Sequence, residues 1–284
     1  MFNSSYVFQV LYDFLPMINK YRDHIFVIKY GGAAMKNHKL KIKVIQDVIF
    51  LHSIGIKVVL VHGGGPFINE FLYKLNIEPK FDNGIRVTDF ETMQVVEMVL
   101  AGQVNKNLVS LVNKLGVSGV GLSGKDANLI IASNLFNSKN NFVGKVEKIN
   151  SDILTLLLQN NYLPIIASIA IDIEGQSYNI NADIVASCIA QNLGAHKLLL
   201  LTDAPGILLD MNDNKTLIKQ VCLNDILELK TSNVITGGMI PKVNACYDAV
   251  HNNVLSAHII DGRIDKALLL ELFTEDRIGS MIIK

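Results

Sequence analysis

The chain has 284 residues, of which 50% are hydrophobic and 18% charged, and its formal net charge is zero. This length allows one large α/β domain or two lobes, and the neutral balance, without a lysine or arginine block, argues against a nucleic-acid partner. The longest uncharged stretch, 153–171, is interrupted by Gln159 and Pro164, so it predicts a helix end and a buried strand rather than a membrane span.

The three cysteines, Cys188, Cys222 and Cys246, are far apart and form no CxxC pair. This pattern is typical of a protein in a reducing compartment, where cysteine fills the core. The N-terminus has an acidic residue, Asp13, and no basic segment before an apolar run, which argues against a secretory signal. We therefore expect a cytoplasmic protein or one of the plastid stroma.

The first predicted element is a helix over residues 5–20. Val7, Leu11, Phe14 and Ile18 recur at steps of four and three, which places them on one helical stripe. This helix precedes the first strand, so it is an addition to the core fold. It packs either on its own subunit or on a second copy of the chain.

The core begins with two β–loop–α units. Strand 25–30 and helix 39–54 form the first, and strand 57–62 and helix 66–75 the second. This alternation of strands and helices predicts parallel strands joined by right-handed crossovers. The further predicted elements are a helix from Thr88 to about Leu115, short strands and turns over 116–150, helix 151–160, strand 163–169, a helix from Asn179–Asp183 to about Leu193, strand 197–202, a helix to about Asn252, strand 257–260, and a terminal helix and strand. Two lobes are expected, with a boundary near residue 175.

Both early strands run directly into glycine-rich loops. Lys29 and Tyr30 lead into Gly31-Gly32, and His62 leads into Gly63-Gly64-Gly65. Glycine allows the backbone to approach a ligand closely, and a following helix adds a partial positive charge at its N-terminus. Two such loops, the first with a lysine at the strand end, predict a site for a highly charged anion.

Several other sequence motifs lack the neighbouring elements or residues that their usual function requires. The GxGxxG run 119–124 follows a helix and opens none, which argues against a dinucleotide-binding turn. A Walker A loop would need Ser or Thr where Asp126 stands. The HGGG run from His62 resembles the oxyanion loop of lipases, but no GxSxG nucleophile elbow is present. No His, Cys and carboxylate group has the spacing of metal ligands, so we expect no metal site of the protein's own.

Three further polar residues are candidates, each with a simpler alternative. Arg86 lies in a turn-rich segment and either holds a carboxylate by a two-point contact or lies on the surface. Asp183 either caps a helix or belongs to a site. Lys242 lies near a helix start, where the dipole disfavours a cation, and this placement favours a functional explanation.

Six segments together resemble one known family, the amino acid kinases. They are VIKYGGAAM from Val27, VLVHGGGP from Val58, DNGIRVTD from Asp82, NINAD from Asn179, LLTDAPGI from Leu200 and ITGGMIPKV from Ile235. The NGIRVT and GGMIPKV stretches are most similar to members that phosphorylate N-acetyl-L-glutamate. The resemblance implies a three-layer αβα sandwich with an open, mainly parallel sheet. It divides the chain into an N-terminal helix extension (1–24), a lobe that binds the acyl amino acid (25–175) and a lobe that binds ATP (176–284).

The resemblance also implies residue roles. Lys29 and Lys242 would stabilise the transferring phosphoryl group, and Asp183 would orient both lysines. The residues implied for the acyl amino acid are Gly64, Gly65, Arg86 and Asn179. The residues implied for the nucleotide are Gly32, Thr202, Asp203, Gly206, Thr236, Gly237 and Gly238. The expected reaction is transfer of the γ-phosphoryl group of ATP to the side-chain carboxylate of N-acetyl-L-glutamate, with Mg2+ carried by the nucleotide.

Members with a similar N-terminal helix are implied to form hexamers, as trimers of dimers, and to be inhibited by arginine. Glu271 and Gly279 fall in the stretch implied to bind arginine, whereas Lys266 and Arg277 stand where His and Gly are expected. In photosynthetic organisms the PII signalling protein is a further implied partner. The alternatives are another member of the family, such as a glutamate, aspartate, carbamate or uridylate kinase, and a non-catalytic amino-acid or nucleotide sensor. A dinucleotide oxidoreductase would rest on the misplaced GxGxxG run alone.

Overall fold

The computed structural model describes residues 4–32, 35–82 and 84–284. The helices are α1 (Ser4–Tyr21), α2 (His38–Ser53), α3 (Gly65–Lys74), α4 (Phe90–Glu97), α5 (Asn105–Lys114), α6 (Asp152–Gln159), α7 (Ala182–Asn192), α8 (Asp225–Thr231), α9 (Met239–His251) and α10 (Ala267–Phe273). The strands are β1 (Ile25–Tyr30), β2 (Lys57–His62), β3 (Phe81–Asp82), β4 (Ile85–Arg86), β5 (Gly119–Ser123), β6 (Ile130–Asn134), β7 (Gly144–Ile149), β8 (Leu163–Ala167), β9 (Ile169–Ile171), β10 (Ser177–Asn179), β11 (Lys197–Thr202), β12 (Gln220–Cys222), β13 (Ser256–Asp261) and β14 (Ser280–Ile283).

Within the described residues, eight strands form a central sheet in the order β12-β14-β13-β11-β1-β2-β8-β5. The pairs from β13 to β5 are parallel, and β14 runs antiparallel to β13. The strands at its centre are continuous apolar runs, such as KLLLLT in β11. Such runs are typical of strands that are buried on both faces.

Helices cover both faces of this sheet. Alternation along β1 sends Phe26 and Ile28 into a core shared with α2, α4, α5 and α10, whereas Val27 belongs to a core shared with α6, α7 and α9. The result is the predicted α/β class, a three-layer αβα sandwich built on an open and mainly parallel sheet.

A second sheet has the order β10-β9-β6-β7 in the described chain. The sequence predicts one strand over 163–169, and this is wrong in detail: Ser168 separates β8, in the central sheet, from β9, in the second. The chain therefore changes sheet at one residue. The predicted lobe boundary near residue 175 falls in the turn between β9 and β10 and stays a prediction.

The predicted helix from Thr88 to Leu115 is interrupted. It begins at Phe90, and Asp89 rather than Thr88 caps it by accepting the Thr92 amide hydrogen at 2.9 Å. The segment Met98–Val104 between α4 and α5 is a π-helix. The short elements β12 and α8 are not predicted from the sequence, because they follow a segment without clear periodicity.

The N-terminal helix contacts its own chain through two aromatic side chains, those of Phe14 and Tyr21. The buried Tyr21 ring lies 5.4 Å from that of Phe26 and 5.9 Å from that of Phe273. The Phe14 ring lies 5.0 Å from that of Phe273 and 6.2 Å from that of Phe50, centroid to centroid. Two of the predicted stripe residues, Val7 and Leu11, have side chains outside the described part of the chain. No helix of the described residues is long and apolar enough to cross a membrane.

Ser280 joins β14 to the loop that follows β11. Its buried hydroxyl accepts the Ile207 amide hydrogen at 2.8 Å and donates to the Ile218 carbonyl at 2.6 Å. Ser280→Ala should lower the free energy of unfolding by about 1–3 kcal/mol, because two buried backbone groups lose their partner. Urea unfolding measures this loss.

The matched control is Ser232→Ala, whose exposed hydroxyl donates to the Glu228 carbonyl at a helix end. We expect this change to cost less than about 0.5 kcal/mol. Equal losses in the two variants would contradict the assigned role of Ser280.

Candidate active site

The candidate site lies at the edge of the central sheet where the parallel strands end. β1 ends at Tyr30, β2 at His62 and β11 at Thr202. β1 pairs with β2, the next strand along the chain, on one side and with β11, from the second half of the chain, on the other side. Ligands of open α/β sheets bind at such a switch point, outside the carboxyl ends of the strands.

One buried carboxylate joins the two predicted lysines. Asp183 Oδ1 lies 2.9 Å from Lys29 Nζ, and its Oδ2 lies 2.9 Å from Lys242 Nζ. Lys29 comes from the end of β1, Asp183 from the first turn of α7 and Lys242 from the first turn of α9. The structure thus brings together three residues that the sequence places up to 213 positions apart.

Asp183 remains ionised in this setting. Burial alone would raise its pKa, but the positive charges of Lys29 and Lys242 outweigh burial and hold the pKa below its ordinary value. The carboxylate also lies in the first turn of α7, where a negative charge is favourable. Asn181 caps that helix by accepting the Asp183 amide hydrogen at 2.8 Å.

Three helix N-termini face this edge. α3 begins directly after the second glycine loop, and α7 and α9 begin where they supply Asp183 and Lys242. Each N-terminus adds roughly half a positive charge to the field. Together with two ammonium groups, they form a region that attracts and orders anions.

The glycine loops leave room for the lysine ammonium groups and for an anionic ligand. A Cβ on Gly31 would lie 2.7 Å from Lys29 Nζ, so only glycine leaves the ammonium in its place. Gly32 has φ +76°, in the region that favours glycine, and faces Asp203. Among the described residues, the amides of Gly64 and Gly65 donate no backbone hydrogen bond. They are therefore free to bind an anion.

Arg86 is buried beside the second glycine loop. Its Nη2 donates to Asn69 Oδ1 at 2.5 Å and to the Gly65 carbonyl at 3.3 Å. Its Nη1 is buried and has no partner in the described part of the chain. Burial lowers the pKa of Arg86, and the guanidinium lies over the Phe81 ring at 4.8 Å. An unpartnered buried donor of this kind fits a carboxylate ligand.

Asn179 is connected to Arg86 through Thr88. Asn179 Nδ2 donates to Thr88 Oγ1 at 3.1 Å, and Thr88 Oγ1 donates to the Arg86 carbonyl at 3.0 Å. The predicted residues for the acyl amino acid therefore form one connected group around the start of α3.

The predicted nucleotide residues lie on the other side of β1. Thr202 is buried at the end of β11, and its hydroxyl donates to Asp203 at 3.2 Å. Gly206 has φ +141°, and a Cβ there would lie 2.6 Å from Ser280 Oγ. Thr236, Gly237 and Gly238 precede α9, and Gly237 has φ +51°. Asp203 lies beside Gly32 of the first glycine loop, whereas Gly206 packs against Ser280 and Leu217.

The two predicted regulatory residues lie elsewhere. Glu271 Oε2 accepts the Gly279 amide hydrogen at 2.9 Å. Glu271 lines a cavity of about 230 Å3 between the end of α1 and the C-terminal segment, together with Lys20, Tyr21, Lys197, His258 and Arg277. Burial, with the charges of Arg277 and Lys20, lowers the pKa of Lys197 to about 8. Lys266 instead lies 3.3 Å from Asp47.

Sequence reasoning missed three residues of this region. Asn69 lies four residues after Gly65, which places it on the same face of α3. Thr88 is the last residue of the NGIRVT stretch. Asn105 occupies a position of the apolar stripe of α5, with Leu108 and Val112. A polar residue in such a stripe is the signal that marks it, because a buried amide needs partners.

Known proteins share this architecture and sequence. The family model described as the amino acid kinase family matches residues 24–261. The chain therefore belongs to the amino acid kinase family. It is 55% identical to acetylglutamate kinase of Gracilaria tenuistipitata var. liui over 284 residues, covering 100% of both chains.

It is 53% identical to acetylglutamate kinase of Nostoc punctiforme (strain ATCC 29133 / PCC 73102) over 275 residues, covering 97% of this chain and 92% of that protein. Among solved structures, smu.665 from Streptococcus mutans UA159 is 30% identical, with a TM-score of 0.76 over 91% of this chain and 98% of that one.

The Asp183 bridge predicts a pH-dependent stability. Because its folded pKa lies below the ordinary value of about 3.9, the contribution is complete above that value and is lost as pH falls through the lower folded pKa. Asp183→Asn should cost about 3–5 kcal/mol at pH 7, since it leaves one buried cation, Lys29, and one half-buried cation, Lys242, without their shared partner. Urea unfolding between pH 7 and pH 3 should show the gap to the native protein narrowing. A gap that is constant over this range would contradict the bridge.

Proposed function

We propose that this chain transfers the γ-phosphoryl group of ATP to the side-chain carboxylate of N-acetyl-L-glutamate. The products are N-acetylglutamyl 5-phosphate and ADP, and the reaction is the second step of arginine biosynthesis. The observation that carries the proposal is the pair of lysines held on Asp183 at 2.9 Å each. Full-length similarity to acetylglutamate kinases supports the choice of acceptor.

The reaction needs charge and position rather than a base. A carboxylate oxygen of the acceptor forms a bond to the γ-phosphorus, the bond from that phosphorus to the β,γ-bridging oxygen breaks, and ADP leaves with the electron pair. The acceptor reacts as an anion, so no proton is transferred. Two anions must meet while negative charge spreads over the phosphoryl oxygens. Lys29 and Lys242, each bound to a different oxygen of Asp183, balance that negative charge.

The acceptor is held on the Arg86 side of β1. Arg86 Nη1 binds the α-carboxylate, and the amides of Gly64 and Gly65 together with Asn179 complete the pocket. The nucleotide lies along Thr202, Asp203 and Gly206, with Gly32 and the 236–238 segment near its phosphates. The described residues contain no group of three or more His, Cys, Asp or Glu that could hold a metal. We propose MgATP as the substrate, with Mg2+ brought by the nucleotide, as is usual for phosphoryl transfer.

The test is ADP release from MgATP with N-acetyl-L-glutamate, glutamate, aspartate or carbamate as the acceptor. Turnover with N-acetyl-L-glutamate alone supports the proposal. Turnover with another acceptor would assign a different member of the family. No turnover with bound ATP would indicate a sensor on the same fold.

Arg86→Lys tests the acceptor pocket. Lysine cannot reproduce the planar fork of arginine, so KM for N-acetyl-L-glutamate should rise at least about tenfold, the loss of one charge-assisted hydrogen bond. KM for MgATP should change little. Steady-state kinetics measure both constants. The control is Arg22→Lys at an exposed position, and an unchanged KM in Arg86→Lys would remove Arg86 from the pocket.

We propose, second, that the chain is a hexamer inhibited by arginine. The described part of α1 exposes Phe8, Tyr12 and Leu15 at 59%, 67% and 45%, an apolar face that suits a second copy. Glu271, whose oxygens are bound by His258 and by the amides of Ile278 and Gly279, adds a negative charge to the wall of the cavity at the end of α1, and this charge suits a guanidinium. Arg277 adds a positive charge to the same wall and acts against such binding. PII as a partner stays a prediction of the sequence.

Deletion of residues 1–20 should convert hexamers into dimers and abolish inhibition by arginine. Light scattering after size exclusion gives the mass, and turnover with and without arginine gives the inhibition. A Phe8→Ser/Tyr12→Ser variant keeps the helix and should show the same change in mass. If the truncated chain stays hexameric, α1 does not join the dimers.

Several similar acetylglutamate kinases come from red algae and cyanobacteria. This origin supports a location in the cytoplasm or the plastid stroma.

A further inference from the structure

His62, at the end of β2, is completely buried, and both of its ring nitrogens have a partner. Nδ1 lies 2.9 Å from the Gly63 carbonyl oxygen, and Nε2 lies 3.1 Å from Asn105 Nδ2. A carbonyl only accepts and an amide NH2 only donates. The hydrogen bonds therefore assign the proton to Nδ1 and the lone pair to Nε2. Burial lowers the pKa of His62 to about 4, which agrees with a neutral ring.

Asn105 lies where α5 begins after the π-helix Met98–Val104. Its Nδ2 also donates to the Ile165 carbonyl at 2.8 Å, so the side chain is fixed against β8. A π-helix accommodates one more residue per turn than an α-helix, and such segments occur frequently at functional sites. Gly121 on β5 leaves room for the amide, since a Cβ there would lie 2.0 Å from Asn105 Oδ1.

The same π-helix also contacts the glycine loop from its other side. A Cβ on Gly64 would lie 2.5 Å from Leu100 Cδ2 and 3.4 Å from Val104 Cγ2. Two contacts therefore fix the peptide between Gly63 and Gly64. Its carbonyl is bound by His62, and its Cα at Gly64 packs against Leu100.

We propose that Asn105 and His62 are positioning residues that orient the Gly64 amide towards the reacting carboxylate of the acceptor, at the point where that carboxylate meets the transferring phosphoryl group. In a trans peptide the carbonyl and the next N–H point in opposite directions, and the described residues contain no cis peptide bond. Because the Gly63 carbonyl faces the buried His62 ring, the Gly64 N–H faces the opposite side. This inference rests on the proposed kinase function, since the amide needs an anionic reactant to stabilise.

Two substitutions of His62 separate the two hydrogen bonds. The amide nitrogen of His62→Asn takes the place of Nδ1 and keeps the bond to Gly63 without help from Asn105, because an amide NH2 always donates, whereas the histidine ring needs Asn105 at Nε2 to keep its proton on Nδ1. The longer amide of His62→Gln takes the place of Nε2 and keeps the contact with Asn105. We expect kcat to fall at least about tenfold in His62→Gln and less than about threefold in His62→Asn, with little change in KM for MgATP, because a misplaced oxyanion donor affects the transition state.

A second measurement does not depend on turnover. Aluminium fluoride with MgADP and N-acetyl-L-glutamate mimics the transferring phosphoryl group, whereas MgAMP-PNP mimics the bound substrate. Asn105→Ala should weaken the fluoride complex at least about tenfold and the AMP-PNP complex less than about threefold, measured by calorimetry. The control is Asn113→Ala on the same helix, whose exposed side chain accepts the Gly119 amide hydrogen and which should leave both affinities unchanged.

Equal kcat in the two His62 variants, or parallel weakening of both complexes in Asn105→Ala, would overturn the inference while leaving the proposed function in place. A native protein that does not phosphorylate N-acetyl-L-glutamate would overturn both. Loss of kcat in His62→Gln with rescue in His62→Asn supports the positioning role, because a purely structural histidine would not distinguish the two amides.

Discussion

The structure depends on one buried carboxylate shared by two ammonium groups. Lys29 and Lys242 lie far apart in the sequence, yet both ammonium groups contact the same carboxylate. Two positive charges held so close together repel each other. Asp183 offsets that repulsion with one oxygen for each lysine, at 2.9 Å. The end of β1 and the first turns of α7 and α9 therefore have to meet at one point. The parallel order of the central sheet makes this possible, because it places strand ends and helix starts at one edge.

The same interaction explains why the site is ready for an anion. The three-residue bridge has one net positive charge, and three helix N-termini add to it. Groups fixed in this way need not reorganise as negative charge develops, which is the main physical source of rate enhancement in phosphoryl transfer. Arg86, beside the second glycine loop, is a second buried cation separate from the two lysines, so we propose that the two reactants meet different cations.

Much of this arrangement follows from the sequence. β1, β2 and β11 were predictable because strands buried on both faces are continuous apolar runs. The glycine loops were predictable because they follow those runs directly. The predictions of fold class and family are confirmed, and the roles of the site residues stay predictions.

The remaining features depend on long-range packing. Leu100, Val104 and Leu108 recur at steps of four, which fits an unbroken α-helix, so this spacing gives no sign of the π-helix Met98–Val104. The change of sheet at Ser168 has no local signal either, since the apolar run continues through it. The contact of Asp183 with both lysines joins residues whose separation no periodicity describes.

A double-mutant cycle distinguishes whether Lys29 and Lys242 act as one unit through Asp183 or independently of each other. Lys29→Met and Lys242→Met, made singly and together, should be compared by kcat in protein whose fold is verified by circular dichroism. Each single change should lower kcat by about 10²–10³-fold. The double variant should lose little more, because groups that act as a unit are not additive. A double variant whose loss equals the product of the two single losses would contradict the account.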